Sequence, residues 1–225
     1  MENWRCRMSR VEKVFKKEFN RIKDEEFKSC LLEMLEGIPD YVLDIPSSST
    51  GKYHPRDEVS KEEKSDGMIR HIKRIIILGE EILRMSDDYI KPRDMDLIIG
   101  AAIFHDIYKS GEKQGKHTVK THPCIIYDKI INFIDDKYPI DIDGELNEIQ
   151  NMLHDLAYMC LHHEGRWTIP ASKERMEMRA MTSDQRRLCK IMHLLDYIVS
   201  RRSVSDMFQF DFIGKLPLFE ENKDE

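Results

Sequence analysis

The stretch LIIGAAIFHD, from Leu97 to Asp106, constrains this chain more than any other: eight apolar or small residues run straight into an ionisable pair. A dyad at the end of so apolar a run belongs inside the core or at its edge, where ionisable groups need partners or a metal. The same conflict recurs at Asp196, set in KIMHLLDYIV among Ile191, Met192, Leu194, Leu195, Ile198 and Val199, and at His71 within the apolar helical pattern GMIRHIKRI. For the dyad or for Asp196 alone, an internal ion pair or a helix-capping aspartate explains the residues as well as a metal does. The occurrence of both, together with His71, favours a metal.

The segments carrying these residues read as helices. Apolar residues make up 40% of the chain and charged residues 35%, with only 10 Gly and 8 Pro. That balance suits long amphipathic helices, and the expected class is all-α, a helical bundle with a metal site in its core. From Ser9 to about Leu35, Val11, Val14, Phe15, Phe19, Ile22, Phe27, Leu31, Leu32 and Leu35 recur at helical spacing until Gly37 and Pro39 stop the pattern. Further helices are expected over Met68 to Met85, Asp94 to Ile107, Thr121 to Asp136, Gly144 to His163 and Ser183 to Ser203. The sequence thus divides into an N-terminal helical segment packing on the core (1–45), a polar loop or lid (46–66), a metal-binding helical domain (67–213) and a frayed tail (214–225).

A formal charge of −6 excludes a global attraction to nucleic acid or anionic membrane, so phosphate binding requires a local patch or a bound cation. Cys6, Cys30, Cys124, Cys160 and Cys189 lie scattered, odd in number and in no zinc-type spacing. Reduced thiols and a cytoplasmic setting are expected. The first residues contain no apolar signal-peptide core, and the apolar runs IIILG and LIIGAAIF fall short of a membrane span.

The residues able to bind a transition metal form a sparse series: His71, His105-Asp106, His122 in THPCIIYDK, His162-His163 in CLHHEGRW, and Asp196. Imidazoles mixed with carboxylates suit one or two divalent ions of Mn, Fe, Ni, Co or Zn, whereas Mg alone prefers an all-oxygen shell. Adjacent residues on a helix diverge by about 100°, so only one of His162 and His163 can face such a site while the other meets substrate or packs. His193 lies close in sequence to Asp196, but reads first as a satisfied helix histidine. Lys109, Arg166, Arg201 and Arg202 offer positive charge for a phosphoryl group, although Arg201 and Arg202 read equally as a solvated helix end; His54, the loop's candidate for facing substrate, reads equally as simply exposed.

The order His71, His105-Asp106, Asp196 resembles the H…HD…D signature of the HD superfamily, whose members are helical metal-dependent phosphohydrolases. The likeness covers roughly Tyr53 to Arg202. AAIFHDIYK looks like that family's central helix end, with Lys109 at the position of its frequent HDxxK lysine; Tyr108 departs from the glycine of many members. The resemblance implies metal ligation by His71, His105, Asp106 and Asp196. Among members holding two ions, it implies a second site from His122 and His162 or His163. PSSSTGKYHP, GMIRH, LHHEGRW and LLDYI are most similar to bacterial HD-type exoribonucleases and related nucleotide-cleaving proteins. The glycines usual before the first histidine are partly replaced, and no oligonucleotide-binding barrel precedes the domain, which argues against processive RNA degradation.

The expected activity is metal-dependent hydrolysis of a phosphomonoester or phosphodiester, a nucleotide above all, with Asp106 and Lys109 as catalytic groups and His54, Lys109, Arg166 and Arg202 binding substrate. Two alternatives stand beside it. One is a phosphodiesterase acting on cyclic nucleotides or single-stranded nucleic acid. The other, of a different class, is a nucleotide-sensing module without turnover; the complete ligand series argues against it. A di-iron oxygenase is a third, minor branch of the same resemblance, distinguished by oxygen consumption. No Walker loop or dinucleotide fingerprint is present.

Overall fold

Lys91 and Pro92 start the helix around which the others pack. Pro92 supplies a preset φ where no amide donor is needed, and the Asp94 carboxylate accepts the Lys91 amide at 2.8 Å. Beyond this start every residue from Asp94 to Phe104 is buried, as the apolar run requires. The computed structural model describes residues 10–48, 54, 66–85, 91–139, 146–169 and 181–201. They form helices α1 (Arg10–Val14), α2 (Lys16–Phe19), α3 (Glu25–Leu35), α4 (Gly67–Met85), α5 (Pro92–Phe104), α6 (His122–Lys137), α7 (Glu148–His162) and α8 (Ser183–Val199), with short 3-10 turns at Asp40–Asp44 and Gly165–Trp167. No strand occurs among the described residues. The chain is all-helical, as its periodicity implied.

Helix α5 lies between α4 and α7, α8 closes against all three, and α6 lines the outer side of α7. Close approach of α4 requires Gly79: a Cβ there would stand 3.0 Å from Ile98 and 3.5 Å from Leu195. Arg187 ties α8 to the start of α5 through paired bonds to Asp94 at 2.7 and 3.0 Å. The N-terminal helices add Phe15, Phe27, Leu31 and Leu35 to the same apolar core. Among the described residues no helix is long and apolar enough to cross a membrane, Cys30, Cys160 and Cys189 are outside any disulfide, and all three are buried, as is Cys124.

One expectation needs correction. The single helix read from Ser9 to Leu35 is broken into α1, α2 and α3, although its apolar residues do face the core. The cause of the break between α2 and α3 lies far away in sequence. The buried Asp96 carboxylate accepts the main-chain amides of Lys23 (3.1 and 3.2 Å) and Asp24 (3.0 Å), which holds residues 22–24 out of helical conformation. Asp24 then caps α3 by accepting the Phe27 amide at 2.8 Å. Smaller differences follow from caps as well. Helix α7 starts after Asn147, in a capping box with Gln150, rather than at Gly144, and Thr182 caps α8 with Gln185. Residues 1–9, most of 46–66 and 202–225 lie outside the described residues, and the lid and tail expectations lie there with them.

Candidate metal centre

Each candidate ligand occupies a helix or its boundary. His71 sits near the start of α4 and is fully buried; His105 caps the C-terminus of α5, and Asp106 follows in the turn. Lys109 donates its amide to the Asp106 carbonyl at 2.9 Å, and the Val119 amide returns to the Lys109 carbonyl at 2.7 Å, closing the connection so that α6 can begin at His122. His163 caps the C-terminus of α7, and Asp196 lies in the last turn of α8.

These side chains converge in two groups. Donor atoms of His71, His105 and Asp196 lie within 4.8 Å of one another, and so do those of Asp106, His122 and His163. The groups adjoin, because His105 and Asp106 are neighbours in the chain. The Asp106 Oδ1 lies 2.9 Å from His122 Nε2 and 3.6 Å from His163 Nε2, while Oδ2 lies 3.5 Å from His105 Nε2 and is bonded by the Lys109 ammonium. In the first group His71 Nε2 is 3.1 Å from Asp196 Oδ1. Imidazole rings run through both groups: His54 to His71, His71 to His105, His105 to His163, and His163 to His122, with centroids 5.7, 5.5, 5.0 and 5.1 Å apart.

Main-chain carbonyls fix the tautomers. His105 donates Nδ1–H to Ala102 (2.9 Å) and Ala101 (3.2 Å), His122 to Val119 (2.8 Å) and His163 to Cys160 (2.6 Å). A carbonyl can only accept, so in each neutral ring Nε2 carries the lone pair, turned toward the site. The Nε2 of His105 is buried and makes no hydrogen bond among the described residues. The Nε2 atoms of His122 and His163 face each other at 3.3 Å, lone pair against lone pair, beside a carboxylate oxygen. An additional proton or a cation relieves such a contact. Burial pushes the His163 imidazole down to about 3, with the neighbouring His105 acting in the same direction, and burial lowers His105 as well. Burial alone would raise the Asp106 carboxyl, but the Lys109 ammonium and the neighbouring imidazoles hold it well below the usual carboxylate range. This donor set, with Nε2 of His105, His122 and His163 turned inward and their Nδ1 atoms anchored outward, could hold a metal ion.

A cavity of about 260 Å³ opens onto the groups, lined among others by His54, Asp106, Lys109, His122, His163 and Asp196. His54 is held by Ser47, whose Oγ lies 3.0 Å from Nδ1. Of the adjacent pair, His163 enters a metal group, whereas His162 turns to Thr168 Oγ1 at 3.3 Å and belongs to neither. His193 lines the cavity and bonds the His163 carbonyl through Nδ1 at 2.8 Å. Arg166 does not line the cavity: it is exposed, with its guanidinium 4.3 Å from the Trp167 ring centre. Arg202 lies outside the described residues; its neighbour Arg201 lines the cavity.

Sequence reasoning had not singled out Glu164, Trp167 and Tyr197, which also line it. Glu164 and Tyr197 each follow a candidate ligand directly, and that adjacency was the available signal. Burial pushes the Glu164 carboxyl up, and its Oε2 makes no hydrogen bond among the described residues. No protein-family model, curated protein or solved structure matches the chain.

Proposed function

We propose that this chain is a metal-dependent phosphohydrolase of the HD superfamily, acting on a phosphomonoester or phosphodiester. The observation that carries the reading is the opposition of His122 Nε2 and His163 Nε2 at 3.3 Å against the Asp106 carboxylate, with both Nδ1 atoms committed to carbonyls. A proton could bridge one such pair. It does not account for the second group, where the buried His105 Nε2 has no hydrogen bond beside Asp196 and His71. Cations at both groups satisfy all of these atoms together.

His71, His105 and Asp196 would hold one ion and Asp106, His122 and His163 another, the two groups adjoining at His105 and Asp106. A divalent ion there supplies Lewis acidity to a phosphoryl oxygen and lowers the pKa of water. The remaining work falls to the chain itself. Lys109, bonded to Asp106, extends a positive charge into the cavity toward an anionic substrate and fixes the Asp106 carboxylate. The helical walls exclude bulk water behind the imidazoles, so charges in the cavity act through a low dielectric. Cys30, Cys160 and Cys189, buried and outside any disulfide among the described residues, support a reducing, cytoplasmic setting.

The test joins metal content to turnover. Protein purified without chelator should carry transition metal approaching two ions per chain and hydrolyse p-nitrophenyl phosphate or its bis-ester. A screen of deoxynucleotides, cyclic nucleotides and short RNA then separates monoesterase from phosphodiesterase. Asp106→Ala should lose metal and reduce turnover by more than about a hundredfold, since even residues that only orient ligands are worth 10- to 100-fold. If Asp106 serves only as the ion-pair partner of Lys109, the variant instead loses about 3–5 kcal/mol of stability and keeps its metal. Turnover that survives complete metal removal refutes the proposal.

A further inference from the structure

Trp167 is the anomaly of the cavity wall. It is 48% exposed, while Phe27, Phe104 and Tyr158 in the core are at most 2% exposed. Its ring, with the Arg166 guanidinium 4.3 Å from its centre, forms part of the wall of the cavity that contains Asp106 and Lys109. It is also oriented. Its ring is nearly parallel to Tyr197, with an interplanar angle of 14° and centroids 5.6 Å apart. The Arg201 guanidinium lies 4.1 Å from the Tyr197 ring centre and 5.9 Å from that of Trp167.

The backbone ties this cluster to the metal groups. Tyr197 follows Asp196 on α8, and Trp167 ends the 3-10 turn that begins two residues after His163. The turn rests against α8 without slack: Gly165 has φ +55°, and a Cβ on it would lie 2.4 Å from the His193 ring, which is itself bonded to the His163 carbonyl. The aromatic pair therefore keeps a fixed position relative to the ligands.

We propose that Trp167 and Tyr197, with Arg201 beside them, form a stacking platform for the heterocyclic base of a nucleotide whose phosphate lies at the metal groups. The inference rests on the reading of those groups as a phosphoester site. Parallel aromatic rings accept any base through its π-face, so the platform selects for a base and only weakly among bases. Arg201 adds a cation beside the rings and favours an anionic ligand.

The experiment compares adenosine 5′-monophosphate with ribose 5-phosphate, which keeps the phosphate and sugar but has no base. Binding to the metal-loaded full chain is followed by calorimetry, and by quenching of Trp167 emission in a Trp4→Phe background, since the chain has two tryptophans. The nucleotide should bind about tenfold or more tighter than the sugar phosphate and quench Trp167. Trp167→Leu should remove that difference while leaving ribose 5-phosphate affinity and metal content unchanged, and Trp167→Phe should restore part of it. Tyr197→Leu provides a second variant should the first not fold. Equal binding of the two probes by the wild-type chain overturns the platform alone. Binding of neither probe overturns both the platform and the phosphoester reading.

Discussion

At His163 two requirements meet in one ring. Its Nδ1 is committed to the Cys160 carbonyl and its Nε2 faces His122 and Asp106, so the imidazole is useful to the site only when neutral. Burial lowers its folded value to about 3, against an ordinary 6.5. Because the folded value is depressed, an unfolded chain takes up more protons between these limits, and stability present above pH 6.5 is lost as the pH falls toward 3. The metal-free protein should therefore melt at progressively lower temperature on acidification through this window. Burial lowers His105 too and works in the same direction. Substituting Gln for His163 should flatten this part of the melting curve against pH, which calorimetry in the presence of chelator would measure; an unchanged slope would remove His163 from the account. The candidate ligands could be singled out in sequence because polar groups set in or ending apolar runs conflict with their surroundings. The choice between His162 and His163 could not, since it depends on how α7 ends.

Among the elements, α4 to α8 follow the apolar periodicity closely, while the break between α2 and α3 follows nothing in its own segment. Its cause, Asp96, lies on α5 and reads in sequence as one polar residue near a helix start. Local periodicity registers which faces are buried, and it did so correctly for Phe15, Phe19 and Phe27. A tertiary hydrogen bond that interrupts a helix leaves no trace in that signal. Asp96→Ala should leave the Lys23 and Asp24 amides without their acceptor and cost about 1–3 kcal/mol, read from urea unfolding. A change smaller than about half a kilocalorie would show that water replaces the carboxylate at no cost. The aromatic platform was hidden for a related reason. Trp167 and Tyr197 belong to different elements, and only the seating of the 3-10 turn on α8 brings their rings together.

On the scale of the whole molecule, the candidate ligands come from α4, the end of α5, the start of α6, the end of α7 and α8, so the two candidate metal groups touch every long helix of the described residues except α3. Metal binding should then slow amide hydrogen exchange across those five helices together, with little change in α3, as mass spectrometry of exchanged fragments would show. Protection confined to the turn after α5 would mean that the ligands hold an ion without coupling the helices. Because the ligands are distant in sequence, each ion would close several long chain loops at once, as a disulfide does, but reversibly and in proportion to the free metal concentration. Open, protease-sensitive forms become rarer as that concentration rises. The lifetime of the polypeptide in a cell would then follow the supply of the ion, and metal starvation would remove the protein itself as well as its activity.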